Sequence, residues 1–135
     1  GRRFVAIVSD DGSTVCRYPQ KPEFEDEWSR GLGWSPTSDL LLVVSGQEYW
    51  PSPRVVKVRP GEAPTGFAFG DGPLYTYQGC WSPDGGAIAV LQGQDPCLRA
   101  SRWLQLSVAK HVGAPDMSMD SIRIPEHLIP VSIDW

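Results

Sequence analysis

The chain has 135 residues, of which 41% are hydrophobic and 21% charged, and its net charge is −4. These values are typical of one ordinary globular domain and argue against a disordered tail. The longest apolar run, Leu40–Val44, is far shorter than the roughly 20 residues that span a bilayer. A general nucleic-acid binder presents a basic patch, which this acidic balance disfavours. We therefore expect neither a membrane span nor a nucleic-acid partner.

The chain begins with two apolar runs around a turn-forming segment, FVAIVSDDGSTVCRYP at residues 4–19. Runs rich in Val and Ile, separated by Asp, Gly and Ser, predict two strands joined by a turn. An acidic segment, PEFEDEW, follows at residues 22–28. We interpret it as a solvated loop, and the alternative is that Glu25, Asp26 and Glu27 dock a basic partner.

A stretch of fifteen residues then occurs twice, as GWSPTSDLLLVVSGQ at 33–47 and as CWSPDGGAIAVLQGQ at 80–94. The two copies lie 47 residues apart and have six identical positions, among them the Trp-Ser-Pro of each copy. A period of about 20 to 50 residues is typical of repeat architectures, in which one unit buries its apolar face against the next. The repeat therefore predicts neighbouring units of the same kind.

Short runs with the composition of strands fill this period. They are LLLVVS, RVVKV and TGFAFG in the first copy and AIAVLQ, RWLQLSV and DSIRIPE in the second. No long stretch has the periodicity of an amphipathic helix, so the predicted fold class is all-β. Each repeated Trp is predicted to end an inner strand, with a Ser-Pro turn after it and the next strand starting six residues beyond the Trp.

The motif WSPDGGAIAVLQG resembles the Trp-Ser-Pro-Asp-Gly repeat of TolB-like propellers and of their WD-repeat relatives. The first copy departs from it, with Thr37 and Ser38 in place of Asp and Gly, and neither copy ends its third strand in Trp-Asp. The resemblance implies a β-propeller of four-stranded blades.

The predicted blades number about three. They cover residues 1–33 together with 128–135, then 34–80, then 81–127. The final HLIPVSIDW is read as the first strand of a further blade that ends at Trp135. Since propellers typically have about four to eight blades, we expect a single propeller segment that further chain or another subunit completes.

Four residues are predicted to be structural: Trp34 and Trp81, which pack one blade on the next, and Pro36 and Pro83, which shape the turns. In a propeller like the one that the sequence resembles, the loops at residues 46–53, 69–77 and 92–101 would lie on the same face. Tyr49, Trp50, Tyr75 and Tyr77 would there form an aromatic patch for a protein partner. The alternative is that Tyr49 and Trp50 fold back over their own blade, between prolines.

The sequence offers no convincing catalytic, cofactor or metal site. Its only histidines are His111 and His127, no serine lies in a G-x-S-x-G elbow, and GLGWSP has Pro36 where a nucleotide-binding loop needs its third glycine. The three cysteines, Cys16, Cys80 and Cys97, lack zinc-ligand spacing and are read as buried free thiols; the alternative is one disulfide bridge plus a free cysteine. Such thiols favour a reducing compartment, and the sequence otherwise leaves the localisation open.

These features predict a non-enzymatic scaffold for protein–protein interactions, formed by a propeller segment within a larger chain or assembly. Two alternatives stay open. One is the non-catalytic propeller of a serine hydrolase resembling the prolyl oligopeptidases, and the other is a periplasmic module of TolB type. Fold resemblance alone does not decide among them, because propellers host unrelated activities.

Overall fold

The computed structural model describes residues 5–18, 28–46, 52–59, 62–69, 74–98, 101–126 and 133–135. The predicted all-β class is confirmed, because ten strands and no α-helix occur in these ranges. In particular, this part of the chain holds no apolar helix of membrane-spanning length.

The strands form three antiparallel sheets, each with its strands in chain order. The first sheet consists of β1 (Val5–Val8) and β2 (Thr14–Tyr18). The second sheet consists of β3 (Trp28–Trp34), β4 (Leu40–Gly46), β5 (Ser52–Lys57) and β6 (Thr65–Ala68). The third sheet consists of β7 (Tyr75–Trp81), β8 (Ala87–Gly93), β9 (Leu104–Lys110) and β10 (Ser118–Ile124).

The strand that ends in each repeated Trp pairs with the strand that follows it. β3 pairs with β4 and β7 pairs with β8, and the later strands begin at Leu40 and Ala87, six residues after their tryptophans as predicted. A sheet therefore begins one strand earlier than the repeated sequence unit. The predicted strand at 127–135 lies mostly outside the described residues, and its last three residues are not in a strand.

The second sheet is apolar on both faces because it packs between the other two. On one face Leu41 and Val43 form a core with Ile7 and Tyr18 of the first sheet. On the other face Leu42 forms a core with residues of the third sheet, among them Trp81, Ile88 and Val90. This double burial explains why LLLVV is continuously apolar rather than alternating. β8 is also buried from Ile88 to Gly93.

The second and third sheets approach closely at Gly79 of β7. A Cβ atom placed there would lie 2.9 Å from Leu42 Cδ2, 3.1 Å from Leu32 Cδ1 and 3.2 Å from Val90 Cγ1. These contacts are tighter than ordinary packing, so the glycine sets how near the two sheets can come. Gly33, on β3, has open space around the equivalent atom.

We predict that Gly79→Ala lowers the free energy of unfolding by about 1–3 kcal/mol, because its methyl group overpacks the core between the sheets. Gly33→Ala is the matched control and is expected to change stability by no more than about 0.5 kcal/mol. Urea denaturation of both variants measures the difference. Equal stability of the two variants would contradict the close approach at Gly79.

Candidate functional site

The second Trp-Ser-Pro turn is a tight β-turn whose side chains bond its own backbone. Gly85 N–H donates to the carbonyl of Ser82 at 2.9 Å, and Gly85 has a φ of 71°. Asp84 Oδ1 accepts from Ser82 Oγ at 2.6 Å and from Gly86 N at 2.9 Å. These donors hold the pKa of Asp84 below its ordinary value, with the Ser82 hydroxyl as the largest cause. Pro83 fits the second turn position, where its fixed φ is favourable.

The first turn is closed by the same backbone hydrogen bond but has different side-chain hydrogen bonds. Ser35 N donates to the carbonyl of Leu40 at 2.8 Å, as Ser82 N does to Ala87. Where the second turn has Asp84, the first has hydroxyls, and Ser38 Oγ donates to Ser35 Oγ at 2.9 Å. Pro36 is exposed, like Pro83. The first turn thus closes without a carboxylate acceptor.

The two turns also touch each other. Thr37 Oγ1 donates to the carbonyl oxygen of Asp84 at 3.4 Å. A Cβ atom at Gly85 would lie 2.2 Å from Thr37 Oγ1, so this position needs glycine for its space as well as for its positive φ. The Thr that departs from the repeat pattern therefore lies at the junction of two units.

A tryptophan contact recurs between successive units. Trp81 Nε1 donates to the carbonyl of Gly33 at 3.1 Å, and Trp135 Nε1 donates to the carbonyl of Cys80 at 3.3 Å. Gly33 and Cys80 each stand immediately before the Trp of the preceding unit. Residues 133–135 therefore meet the third sheet as the third sheet meets the second.

Residues 133–135 lie on the side of the third sheet that faces away from the second. Gly79 and Trp81 contact the second sheet, so Gln78, which alternates with them, faces the opposite way. Ile133 N donates to Gln78 Oε1 at 3.2 Å. The order along the stack is therefore first sheet, second sheet, third sheet, and then residues 133–135.

Exposed large apolar side chains concentrate at the two ends of this stack. Val8 is 52% exposed and Trp34 is 50% exposed at the first end, while Ile122 is 64% and Trp135 is 51% exposed at the other. Trp81, at the equivalent position inside the stack, is only 9% exposed. We call Val8 and Trp34 the first end face, and Ile122 and Trp135 the second end face.

The first end face borders an open groove of about 450 Å³. The lining residues are Val5–Val8 of β1, Gly31–Trp34 of β3 and Leu41. Within the described residues β1 pairs only with β2, so its other edge carries no strand. In the second and third sheets the corresponding edge is occupied by the strand that ends in Trp, β3 or β7.

The predicted aromatic patch is only partly described. Tyr49 and Trp50 lie outside the described residues, as do the acidic candidates Glu25, Asp26 and Glu27.

Tyr75 and Tyr77 are half-buried on β7. The Tyr77 hydroxyl donates to the carbonyl of Asp95 and lies 2.5 Å from Ser101 Oγ, which ties the loop between β8 and β9 to β7. Burial raises the Tyr77 pKa.

A row of polar side chains crosses the third sheet on the face toward the second sheet. Gln92 Nε2 donates to Thr76 Oγ1 at 3.1 Å, and Ser107 Oγ donates to Gln92 Oε1 at 3.2 Å. Ser107 Oγ also lies 2.8 Å from Ser121 Oγ. All four strands of the third sheet are joined in this way by side chains in addition to the backbone ladder.

The equivalent row of the second sheet has no such bonds. Ser29 and Ser45 occupy the positions of Thr76 and Gln92, and Arg54 opposite Val43 occupies that of Ser107. Ser29 Oγ, Ser45 Oγ and Arg54 Nε are buried without a hydrogen-bond partner. Buried polar groups without hydrogen-bond partners destabilise a fold. The polar row of the second sheet is therefore less completely hydrogen-bonded than the row of the third sheet.

Among the described residues, the remaining titratable groups do not assemble into a site. His111 Nδ1 lies 2.6 Å from Asp116 Oδ2 within one turn. Cys80 and Cys97 are free thiols; burial raises the pKa of Cys80, whereas Cys97 is exposed, contrary to the expectation of buried thiols. Within the described ranges no three His, Cys, Asp or Glu side chains are grouped to hold a metal ion.

No protein-family model matches this chain, and neither curated proteins nor solved structures contain a match to it.

Sequence reasoning did not single out Val8 or Ile122, because an apolar residue in a strand has the same pattern whether or not another sheet covers it.

Trp81→Phe is predicted to lower the free energy of unfolding by about 1–3 kcal/mol, since it removes the donor to a carbonyl between the sheets. Trp34→Phe, measured on the monomeric chain, is the matched control, and the exposure of Trp34 there limits the expected change to about 0.5 kcal/mol. Chemical denaturation followed by far-ultraviolet circular dichroism measures both. If Trp34→Phe cost as much as Trp81→Phe, the indole contact would not be what joins the sheets.

Acid is predicted to weaken the second turn through Asp84. Its pKa is lower in the folded chain, so its contribution to stability is present above the unfolded pKa and is lost as the pH falls through the folded one. Below about pH 4 the wild type should lose stability more steeply than Asp84→Asn, which cannot be protonated there. Denaturation midpoints between about pH 2 and 6 measure the slopes, and parallel slopes would refute the role of Asp84.

Proposed function

We propose that this chain is a non-enzymatic scaffold for protein–protein interactions, formed by blades of a β-propeller within a larger chain or assembly. The observation that carries the proposal is the pair of apolar end faces. Val8, Trp34, Ile122 and Trp135 are all at least half exposed, whereas Trp81 between them is buried. Exposed apolar surface of this kind marks sites where another protein binds.

The propeller interpretation has three supports. The second and third sheets have four antiparallel strands each, which is the composition of a propeller blade. Each sheet begins with the strand before a Trp-Ser-Pro turn, in keeping with the sequence resemblance. The same indole-to-carbonyl bond links successive units, at Trp81 and again at Trp135.

The incomplete units favour continuation of the stack. In this interpretation β1 and β2 are the second and third strands of a blade, and residues 133–135 end the first strand of another. Within the described residues, both units have fewer strands than the two four-stranded sheets. Binding rather than catalysis is proposed because the sequence has none of the nucleophile or nucleotide-binding motifs considered above.

The test is capture of partner proteins by the full chain through its end faces. Val8→Glu and Ile122→Glu place a charge in each face, so each is expected to reduce capture at least tenfold, a change of about 1.4 kcal/mol. Phe67→Glu is the control, because Phe67 is 38% exposed on β6 and belongs to neither end face. Cross-linking with mass spectrometry identifies the contacts. Equal capture by all three variants would overturn the proposal, as would a wild type that binds neither another protein nor a second copy of itself.

A further inference from the structure

We propose that the first end face of one copy binds the second end face of another, so that a second copy of this chain is the partner. The inference rests on the proposed function and names the partner. The second copy contributes residues 133–135 to the open edge of β1, where no described strand lies, and it receives the same contribution in return.

The chain itself shows what fills a groove of this kind. In the second sheet β3 lies along β4 and ends in Trp34, and in the third sheet β7 lies along β8 and ends in Trp81. β1 is the counterpart of β4 and β8, because its Ile7 packs on the next sheet in the stack. A strand ending in Trp, placed along the open edge of β1, would therefore complete the first sheet in the same way.

Residues 133–135 show the complementary arrangement: they end in Trp, and they lie in no strand within the described residues. Trp135 Nε1 donates to the carbonyl of Cys80 as Trp81 Nε1 donates to that of Gly33, so the segment lies where a next sheet would begin. Two complete sheets separate it from β1 along the stack of one copy. A second copy brings the two incomplete parts together without distorting either stack.

The apolar surfaces also match across this junction. Ile7 faces the second sheet, so Val8, which alternates with it, faces away from the stack and is exposed. Ile122 lies opposite Leu106, Leu106 opposite Leu91, and Leu91 opposite Gln78, which faces the outer side of the third sheet. Joining the ends covers Val8 and Ile122 at once, and buries Trp34 and Trp135 as Trp81 is buried.

Each junction brings β1 and β2 of one copy together with residues 133–135 of the other. The junction joins two different surfaces, and such an interface ends in a closed assembly when the rotation brings the last copy back to the first.

Analytical ultracentrifugation of the purified full chain tests the inference. The expected species is a dimer of about twice the 14.9 kDa of one chain. Val8→Glu and Ile122→Glu should each weaken dimerisation at least tenfold, and Val8→Lys should do the same with the opposite charge. Phe67→Glu is expected to remain dimeric, and circular dichroism checks that every variant is folded.

Mixing the variants tests the head-to-tail arrangement. Val8→Glu retains a normal second end face and Ile122→Glu a normal first one, so an equimolar mixture should recover dimers through one intact junction. A face-to-face dimer gives the opposite result: only one of the two variants dissociates it, and mixing restores nothing.

The results distinguish this inference from the proposed function. A monomeric wild type at its highest soluble concentration would overturn the second copy as partner, while capture of another protein through the end faces would still support a scaffold. A dimer unaffected by both end-face variants would likewise overturn the inference.

Discussion

The contact between the indole N–H of one unit and a carbonyl of the preceding unit determines how the repeats join. Trp81 is buried where two sheets meet, and its Nε1 satisfies the carbonyl of Gly33 at 3.1 Å. Because a buried carbonyl without a partner is costly, this bond fixes the position of one sheet on the next as well as adding apolar burial. Gly79 permits the approach, and the contact of Thr37 with Asp84 joins the two turns.

Such a stack creates a problem at its ends. An inner sheet buries both faces, as the continuous burial of β4 shows, but an outermost sheet has no neighbour on one side. Trp34, beside the open edge of β1, and Trp135, beyond the third sheet, are both exposed, whereas Trp81 between two four-stranded sheets is buried. The proposed scaffold function and the proposed pairing of two copies are both responses to this property of repeat proteins, whose terminal units need a cap or a partner.

The sequence predicted the features that depend on neighbouring residues. Ser-Pro-Asp-Gly chemistry places the turn at Asp84, and the two copies of the repeat place β4 and β8, because both signals are local or periodic. The roles of Tyr77 and Val8 were not predictable in this way. The Tyr77 hydroxyl reaches Asp95, 18 residues away, and the exposure of Val8 depends on which sheets are stacked beside it.

Nuclear Overhauser effects between side chains of the two repeats test the central claim most directly. If the repeats form separate stacked sheets, the methyl groups of Leu42 and Val90 should give cross-peaks, and the Trp81 indole proton should show one to Gly33. Backbone cross-peaks between β6 and β7 should be absent. Regular backbone contacts linking β6 to β7, with no contact between Leu42 and Val90, would mean one continuous sheet and would contradict the account.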